Sequence, residues 1–336
     1  MHAVILVGGF GTRLRPLTLA TPKQMLPLVG VPMIERVVAA LGARGVDEVV
    51  LALGYRPDQF RQAYPDGVIA GVPVHYAVEP EPMDTAGAIG FAARSVGIDD
   101  TFVAVNGDVI TDLDVAALVA LHRDRGGLGT IALTPVEDPS RYGVVVTDAE
   151  DRVQAFIEKP PAGEAPSNWI NAGTYVLEPE VLDRIPETGR TSIERVVFPQ
   201  LVEAGALHAL RSEAYWVDAG TPASYLQVAL DLVAGRAGSP ASPAVAEGAE
   251  VAGDATVVDS VVSAGCRVET GAVVQGSMLL PGAVVGPGAK VEGSIVGPGA
   301  VVGAGAAVVG ESVVGDGARV PDDAKLDGAR FPDEPS

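Results

Sequence analysis

The stretch Val7–Pro27, VGGFGTRLRPLTLATPKQMLP, follows an apolar run at the N-terminus. Three glycines, Gly8, Gly9 and Gly11, come directly after residues typical of a buried strand. Glycine lets a backbone approach a ligand closely, so that its N–H groups can meet phosphate oxygens. The stretch therefore predicts an anion-binding loop at the end of a strand.

Two basic side chains in the same stretch fit this interpretation. The guanidinium of Arg13 can hold phosphate oxygens bidentately, and the ammonium of Lys23 supplies a point charge. The P-loop pattern is absent, and the dinucleotide fingerprint G-x-G-x-x-G fails at Leu14. The alternative is a glycine turn with surface arginines, and the whole stretch is needed to outweigh it.

The charge of the chain limits its partners. Lys and Arg number 23 against 43 Asp and Glu, a formal net charge of -20 over 336 residues. Such a charge opposes attraction to nucleic acid and to anionic membranes. An anionic ligand therefore needs a local cationic pocket, and we expect neither a nucleic acid nor a membrane as partner.

The cysteine content and the N-terminus bear on the compartment. The single cysteine, Cys266, excludes an intrachain disulfide and fits a reducing environment. The apolar run 3–7 is too short for a signal peptide, and no window approaches the ~20 apolar residues of a membrane span. We expect a cytoplasmic protein.

The chain up to residue 234 alternates between two periodicities. Buried strands are predicted at 3–7, 48–53, 74–78 and 101–106. One helical face collects Met33, Ile34, Val37, Val38 and Leu41, with Gly45 as a stop signal. This alternation predicts an α/β domain with a doubly wound, mainly parallel sheet, in which ligands bind at the carboxyl ends of the strands.

The composition changes after residue 234. Residues 235–243, GRAGSPASP, read as a linker, which gives domains at 1–234 and 244–330. In the second domain an aliphatic residue recurs every six positions, and blocks begin at 245, 262, 279 and 296. Such periods are typical of a solenoid, and the alternative of a disordered Gly/Val-rich tail does not explain the register. The repeat resembles the hexapeptide-repeat left-handed parallel β-helix, here with four to five coils.

Beyond its chemistry, the string GGFGTRLRPLT followed by PKQMLP resembles the signature of the sugar-1-phosphate nucleotidyltransferase family. The resemblance covers nearly the whole chain, because many members append a left-handed β-helix to a Rossmann-like domain. It implies that the glycine loop with Thr12, Arg13 and Lys23 binds a nucleoside triphosphate, and that Arg13 and Lys23 are catalytic.

Later motifs match the family in the expected order. VNGDVI and WVDAGTP contribute Asp108 and Asp218, which resemble the two metal-binding aspartates and imply Mg²⁺. The residues that resemble sugar-phosphate contacts are Gly143, Glu158, Lys159 and Asn171. Each has an ordinary alternative when taken alone: a solvated acidic loop for Asp108, a surface turn for the residues of EKP and INAG, and a helix cap for Asp218.

The segment EPEPMDTAGAI looks most like that of the guanylyltransferases acting on mannose 1-phosphate, with Thr85, Ala86 and Gly87 matching the base-binding positions. Three positions depart from the family pattern, Gln24, Val31 and Asp84. GTP and mannose 1-phosphate are therefore the favoured substrates, and uridylyl, thymidylyl or adenylyl transfer to glucose 1-phosphate stays open.

Two other functional classes fit the sequence less well. A non-catalytic regulatory subunit can share this layout, but Arg13, Lys23, Asp108 and Asp218 are retained. Acyl transfer by the β-helix usually calls for a histidine in the coils, and none follows His208. We therefore assign the β-helix to assembly and expect a homo-oligomer.

Overall fold

The computed structural model describes residues 1–332. Its contacts group the chain into two compact units. The first comprises Met1–Gly9 with Ile34–Trp216, and the second comprises Phe10–Met33 with the chain from Val217 onward.

The first two thirds of the chain hold all the α-helices. The strands are β1 His2–Leu6, β2 Pro27–Leu28, β3 Val31–Pro32, β4 Glu48–Leu53, β5 Val68–Ile69, β6 Val72–Val78, β7 Phe102–Asn106, β8 Val109–Thr111, β9 Gly129–Pro135, β10 Gly143–Thr147, β11 Val153–Glu158, β12 Trp169–Leu177, β13 Leu207–Arg211 and β14 Trp216–Asp218. The helices are α1 Met33–Gly42, α2 Pro57–Ala63, α3 Asp84–Val96, α4 Val115–Arg125, α5 Phe198–Glu203 and α6 Pro222–Val233. Single turns of 3₁₀ helix occur at Thr12–Leu14 and Lys23–Met25.

The main sheet of the first unit has ten strands. Its longest path runs β11-β10-β12-β7-β1-β4-β6-β5, and β9 and β13 extend it beside β12. The central strands β7, β1, β4 and β6 are parallel, whereas β12 runs antiparallel to β7. The predicted α/β sheet is thus confirmed. The four strands that the sequence predicts, β1, β4, β6 and β7, form one continuous parallel block.

Sequence periodicity located these strands because their residues are buried on both faces. In β4, five consecutive residues from Val49 to Leu53 are 0% exposed, which is the pattern of a parallel strand covered on both sides. The predicted apolar face of α1 is buried as well, and the chain turns at Gly45 with a φ of 89°.

The C-terminal region is a β-helix of five coils. Its strands are β15 Glu250–Val251, β16 Thr256–Val258, β17 Val261–Val262, β18 Arg267–Val268, β19 Val273–Gln275, β20 Met278–Leu279, β21 Val284–Val285, β22 Lys290–Glu292, β23 Ile295–Val296, β24 Val301–Val302, β25 Ala307–Val309, β26 Val313–Val314, β27 Arg319–Val320, β28 Lys325–Asp327 and β29 Arg330–Phe331. They form three all-parallel sheets of five strands each. The predicted solenoid is confirmed, and its aliphatic repeat residues from Val262 to Val320 form one continuous core, whereas Val245 and Val251 of the first coil are exposed.

The recurrent serines form a ladder along one corner of the coils. The hydroxyl of Ser277 donates to the carbonyl of Gln275 at 2.7 Å and accepts from the N–H of Ser294 at 3.1 Å. Ser260 makes the same two contacts one coil earlier. The sequence showed this spacing, and the structure adds its reason: each hydroxyl satisfies two backbone groups that the corner leaves buried.

The repeat lengthens once. Partners in neighbouring coils are 17 residues apart up to the pair Val291 and Val308, and 18 apart from the pair Ile295 and Val313 to the pair Val309 and Asp327. The last pairs, which both follow the insertion, are 17 apart again. The extra residue lies at the corner that contains Gly310 and Glu311, whose φ angles are 65° and 63°. The strands keep their register because the corner absorbs the insertion.

The second unit also contains α6, whose N-terminus is capped by Thr221. Its hydroxyl accepts from the N–H of Ser224, and the serine hydroxyl accepts from the N–H of Thr221. This reciprocal arrangement is a capping box. The helix cap considered for Asp218 is therefore wrong, since Thr221 takes that position.

Cys266 lies inside the β-helix and is 0% exposed. Its thiol contacts the carbonyl of Leu280, and burial raises the pKa of the thiol. Among residues 1–332, no helix is long and apolar enough to cross a membrane.

Candidate functional site

The glycine loop begins where three parallel strands of the first unit end. A Cβ added at Gly8 would lie 2.9 Å from Oε1 of Glu79, and one added at Gly54 would lie 3.0 Å from the carbonyl oxygen of Gly8. Gly8 follows β1, Gly54 follows β4 and Glu79 follows β6. A side chain at Gly54 would thus crowd the backbone of Gly8, whereas the close neighbour of Gly8 is the end of the Glu79 side chain. Gly9 is exposed.

Glu79 was missed by the sequence analysis. Its Oε2 accepts from the N–H of Met83 at 3.0 Å, but the buried Oε1 has no hydrogen-bond partner within the described chain. Burial raises the pKa of this carboxyl, against the smaller lowering by the Met83 N–H. An acceptor buried without a partner is costly unless a ligand supplies the donor. Its position directly after a buried strand was the signal available in the sequence.

The signature segment in the second unit is a compact loop. Gly11, at a φ of 63°, precedes the 3₁₀ turn of Thr12–Leu14, and its carbonyl accepts from the hydroxyl of Thr18 at 2.7 Å. Leu14 and Leu17 are 0% exposed, so two apolar side chains anchor the loop. Thr12 lies on the exposed side of the segment.

The structure brings Arg13 and Asp218 together. Nη2 of Arg13 lies 3.8 Å from Oδ2 of Asp218, and the side chains are 61% and 27% exposed. Oδ1 of Asp218 accepts from the N–H of Gly220 at 2.8 Å. A Cβ at Gly220 would lie 2.6 Å from Arg13 Nη2 and 2.7 Å from Asp218 Oδ1. Gly220 therefore leaves room for the pair, which the sequence did not indicate.

Asp108 lies in the two-residue turn between β7 and β8, as predicted from its place after a strand. Of its acidic neighbours, Asp114 caps α4 by accepting from the N–H of Ala117. Asp108 and Asp218 are both partly exposed carboxylates, the donor type that Mg²⁺ prefers. Residues 1–332 contain no group of three or more His, Cys, Asp or Glu suited to a metal. One or two carboxylates suffice for Mg²⁺, because water and substrate phosphates complete its shell.

Three of the predicted sugar-phosphate residues lie together on β10 and β11. Gly143 pairs with Glu158 across the strands, and Oε2 of Glu158 would lie 3.1 Å from a Cβ at Gly143. Nζ of Lys159 lies 3.4 Å from Oε1 of Glu158 and is itself largely exposed. Lys159 has a φ of 51°, and its N–H donates to the carbonyl of Tyr142. The backbone of Lys159 is thus fixed, and its exposed ammonium group lies next to a carboxylate.

Asn171 lies on the neighbouring strand β12, beside Ile170, which pairs with Val144 of β10. Its Nδ2 donates to the hydroxyl of Tyr175 and its Oδ1 accepts from the N–H of Gly173, both at 2.9 Å. The amide is therefore oriented by its own strand, at the bulge where the register of β12 shifts.

Thr85, Ala86 and Gly87 form the first turn of α3 and are tied to the segment 191–194. The Thr85 hydroxyl donates to Oε2 of Glu194 and accepts from the N–H of Ile193. The N–H groups of Ala86 and Gly87 both reach the carbonyl of Thr191. These polar groups have protein partners, so this turn shapes its surroundings by packing.

The three departures from the family pattern have different structural settings. Asp84 starts α3 at a φ of 61°, a conformation that favours glycine and that Asp tolerates better than most residues. Gln24 is 1% exposed and its Oε1 has no partner within the described chain. Val31 pairs with Leu28 in the β2–β3 hairpin. The left-handed conformation thus suits a glycine at position 84, while nothing in the structure explains Gln24.

Two family models match the chain. The model described as nucleotidyl transferase covers residues 2–235, and that described as GMPPB C-terminal domain covers residues 241–331.

Curated relatives agree with these models. The mannose-1-phosphate guanylyltransferase of Mycobacterium tuberculosis is 42% identical over 243 residues, which cover 72% of this chain and 67% of that protein. The mannose-1-phosphate guanyltransferase of Schizosaccharomyces pombe is 45% identical over 236 residues, 67% of this chain and 62% of that protein. The matched part thus spans about two thirds or less of these relatives' length.

Solved structures resemble about two thirds of this chain. HddC from Yersinia pseudotuberculosis has a TM-score of 0.59 at 29% identity, over 68% of this chain and 97% of that chain. A putative glucose-1-phosphate thymidylyltransferase from Bacillus anthracis has a TM-score of 0.62 at 26% identity, over 68% of this chain and 94% of that chain. HddC has also been solved in complex with GMP-PN, at a TM-score of 0.58 and 29% identity over 68% of this chain and 97% of that chain.

Proposed function

Because this chain belongs to the nucleotidyl transferase family, we propose that it transfers a nucleotidyl group from a nucleoside triphosphate to a sugar 1-phosphate. The products are a nucleotide sugar and pyrophosphate. We favour GTP and mannose 1-phosphate, the specificity that the names of the relatives from M. tuberculosis and S. pombe carry. The retained cations and carboxylates support an enzyme over a regulatory subunit.

In the proposed reaction, an oxygen of the sugar phosphate attacks the α-phosphorus of the triphosphate, and pyrophosphate leaves. The nucleophile is already anionic, so no general base is required. The enzyme must instead offset repulsion between two anions and stabilise the charge on pyrophosphate. We assign this task to Arg13 and Lys23, with Gly8, Gly9, Gly11 and Thr12 forming the nucleotide loop.

The remaining polar residues serve the second substrate and the metal. We propose that Lys159 binds the sugar phosphate, and that Gly143, Glu158 and Asn171 complete that side. We further propose that Asp108 and Asp218 supply carboxylate ligands to Mg²⁺, which neutralises phosphate charge when bound.

One observation carries the choice of base: the buried, unpartnered Oε1 of Glu79. Guanine presents an N–H and an amino group side by side, and a carboxylate accepts from both. Uracil and thymine offer one N–H between two carbonyls, and adenine pairs its amino group with an acceptor. A buried carboxylate at the end of β6 therefore favours guanine, with Thr85, Ala86 and Gly87 shaping the base pocket.

The test of the reaction is pyrophosphate release with Mg²⁺ across GTP, UTP, dTTP and ATP, each with mannose, glucose and N-acetylglucosamine 1-phosphate. We expect GTP with mannose 1-phosphate to dominate. A different dominant pair would keep the chemistry and overturn the substrates, and silence throughout would contradict the proposal.

A substitution at Glu79 tests the proposed contact with guanine. Glu79→Gln replaces one acceptor by a donor that faces the guanine donors, so kcat/KM for GTP should fall about 10-fold to 100-fold, as loss of a bidentate base contact costs about 1–3 kcal/mol. Glu81→Gln, an exposed neighbour in the same segment, is the matched control. Equal kcat/KM for GTP in Glu79→Gln and wild type would refute the role of Glu79.

The domain division, compartment and assembly remain proposals. We propose a catalytic domain at 1–234, a linker at 235–243 and a β-helix at 244–330, in a cytoplasmic homo-oligomer. Light scattering at micromolar concentration tests the last point, and a monomer would contradict it.

A further inference from the structure

The phosphate-binding segment Phe10–Met33 belongs by its contacts to the same compact unit as the β-helix. This grouping is unexpected, because a β-helix assigned only to assembly has no need to contact a ligand-binding loop. Three contacts within the unit connect this segment, α6 and the β-helix.

The first contact joins the loop to the end of the β-helix. A Cβ added at Gly315 would lie 3.0 Å from Cβ and 3.1 Å from Cγ of Pro16. Its next neighbour, the carbonyl oxygen of Phe331, is farther away at 3.4 Å. Pro16 is buried, so the loop rests against a coil position from which a side chain is missing.

The repeat shows that this coil position accepts side chains elsewhere. The N–H groups of Ser263, Leu280 and Gly315 each donate to the next coil in the same way. Serine and leucine thus occupy the equivalent place in two earlier coils, and glycine occupies it at Gly297, where an added Cβ would lie 2.6 Å from the carbonyl oxygen of Val314. At Gly315 the nearest coil atom, the carbonyl oxygen of Phe331, is 3.4 Å away, so the tight contact there is with Pro16.

The second and third contacts pass through α6. Tyr225 is 0% exposed, and its hydroxyl donates to the carbonyl of Pro27. Burial raises the pKa of Tyr225, and the carboxylate of Asp316 raises it further. On the same helix, Leu226 faces Ser294 and Ser312 across a small cavity.

Each of the two cations lies a few residues before one of these anchored prolines. Arg13 is three residues before Pro16, and Lys23 is four residues before Pro27. Arg13 is 61% exposed, and its guanidinium lies 3.8 Å from the carboxylate of Asp218. The position of both cations depends on what holds the backbone.

We propose that the last coils of the β-helix position the phosphate-binding segment, with Gly315 and Tyr225 as positioning residues. The role of Arg13 and Lys23 as phosphate ligands rests on the proposed function, whereas the contacts themselves do not. The β-helix is then a part of the nucleotide site as well as an assembly element.

The experiment is limited trypsin digestion of the full chain, followed by mass spectrometry of the bonds Arg13–Leu14 and Lys23–Gln24. Leu14 and Gln24 are 0% and 1% exposed, so both bonds are protected in the folded loop. Gly315→Ala and Gly315→Leu should raise cleavage at these bonds by about 3-fold and more than 10-fold. Gly253→Ala and Gly253→Leu are matched controls, because a Cβ at Gly253 meets nothing within 4 Å.

Tyr225→Phe keeps the ring and removes the hydroxyl that Pro27 accepts. It should raise cleavage at Lys23 about 3-fold and leave bonds outside the segment unchanged. A rise confined to the two bonds in these variants supports the proposal. No rise in any of them, or a uniform rise across the chain, overturns it.

Kinetics supply a second readout. In Gly315→Leu, KM for the triphosphate should rise at least 5-fold while KM for the sugar phosphate stays within 2-fold. Equal changes in both KM values would contradict a positioning role. If wild type transfers no nucleotide at all, the proposed function fails, and the digestion still decides whether the coils hold the loop.

Discussion

The β-helix is held together by contacts that repeat from coil to coil, whereas the loops that carry polar site residues rely on contacts that occur once. In the β-helix one solution repeats, so that Ser260, Ser277 and Ser294 occupy the same corner of successive coils. In the loops each contact occurs once, as for Glu79 beside Gly8 or Gly220 beside Arg13. When one of several repeated contacts is removed, the other coils still stabilise the stack. When a contact that occurs once is removed, no other contact replaces it. Substitutions in the loops should therefore affect activity, and those in the coils should affect stability, except at Gly315, whose neighbour is Pro16.

The largest effect is expected for Arg13→Ala. It removes the planar cation assigned to the triphosphate, and kcat should fall by about 10²–10³, as for loss of one transition-state donor. Steady-state pyrophosphate release measures it. Arg61→Ala, an exposed arginine on α2, should retain activity within 2-fold. A loss below tenfold for Arg13→Ala would refute its role.

Next in size is Gly220→Ala. The added methyl group must push apart Arg13 and Asp218, which lie 2.6 and 2.7 Å from it. Since the arginine end is mobile, we expect activity to fall about 10-fold to 100-fold, about 1.4–2.7 kcal/mol, while the melting temperature hardly changes. Gly253→Ala is again the control. Unchanged activity in Gly220→Ala would show that this glycine does not position the pair.

In the coils, Ser277→Ala should leave activity unchanged and lower the free energy of unfolding by about 1–3 kcal/mol, because it leaves a buried N–H and a carbonyl without partners. Ser263→Ala is the matched control, since the buried hydroxyl of Ser263 has no partner in the described chain. Urea denaturation measures both. Equal destabilisation by the two substitutions would show that the serine ladder does not stabilise the coils.

The smallest effect concerns Asp84, the one left-handed residue of the predicted base segment. Asp84→Gly should stabilise by about 0.5–1 kcal/mol and Asp84→Ala should destabilise by about 1 kcal/mol, because only glycine adopts this φ without strain. Thermal unfolding compares them. If alanine is as stable as glycine here, the left-handed conformation is not a constraint.

The sequence predicted the features that rest on periodicity. β4 has its predicted bounds, and the five coils follow the spacing of the aliphatic residues, because burial on both faces of a strand leaves a direct trace in composition. It also located Asp108 after β7. These are local consequences of the order of residues.

What the sequence did not predict depends on contacts between distant residues. Glu79 meets Gly8 across 71 positions and Gly220 meets Arg13 across 207, distances along the chain that no local pattern encodes. The sequence assigned the β-helix to assembly alone, because the contact between Pro16 and Gly315 also joins distant residues. The antiparallel position of β12 within the sheet likewise depends on topology.

The solitary thiol of Cys266 has a practical consequence. It is enclosed by the coils and its pKa is raised, so alkylating reagents should react with it slowly at neutral pH. A cysteine introduced at the exposed Gly253 would then be the only fast-reacting thiol of the chain. The native molecule is therefore ready for site-specific attachment of a dye or spin probe, without prior removal of any residue.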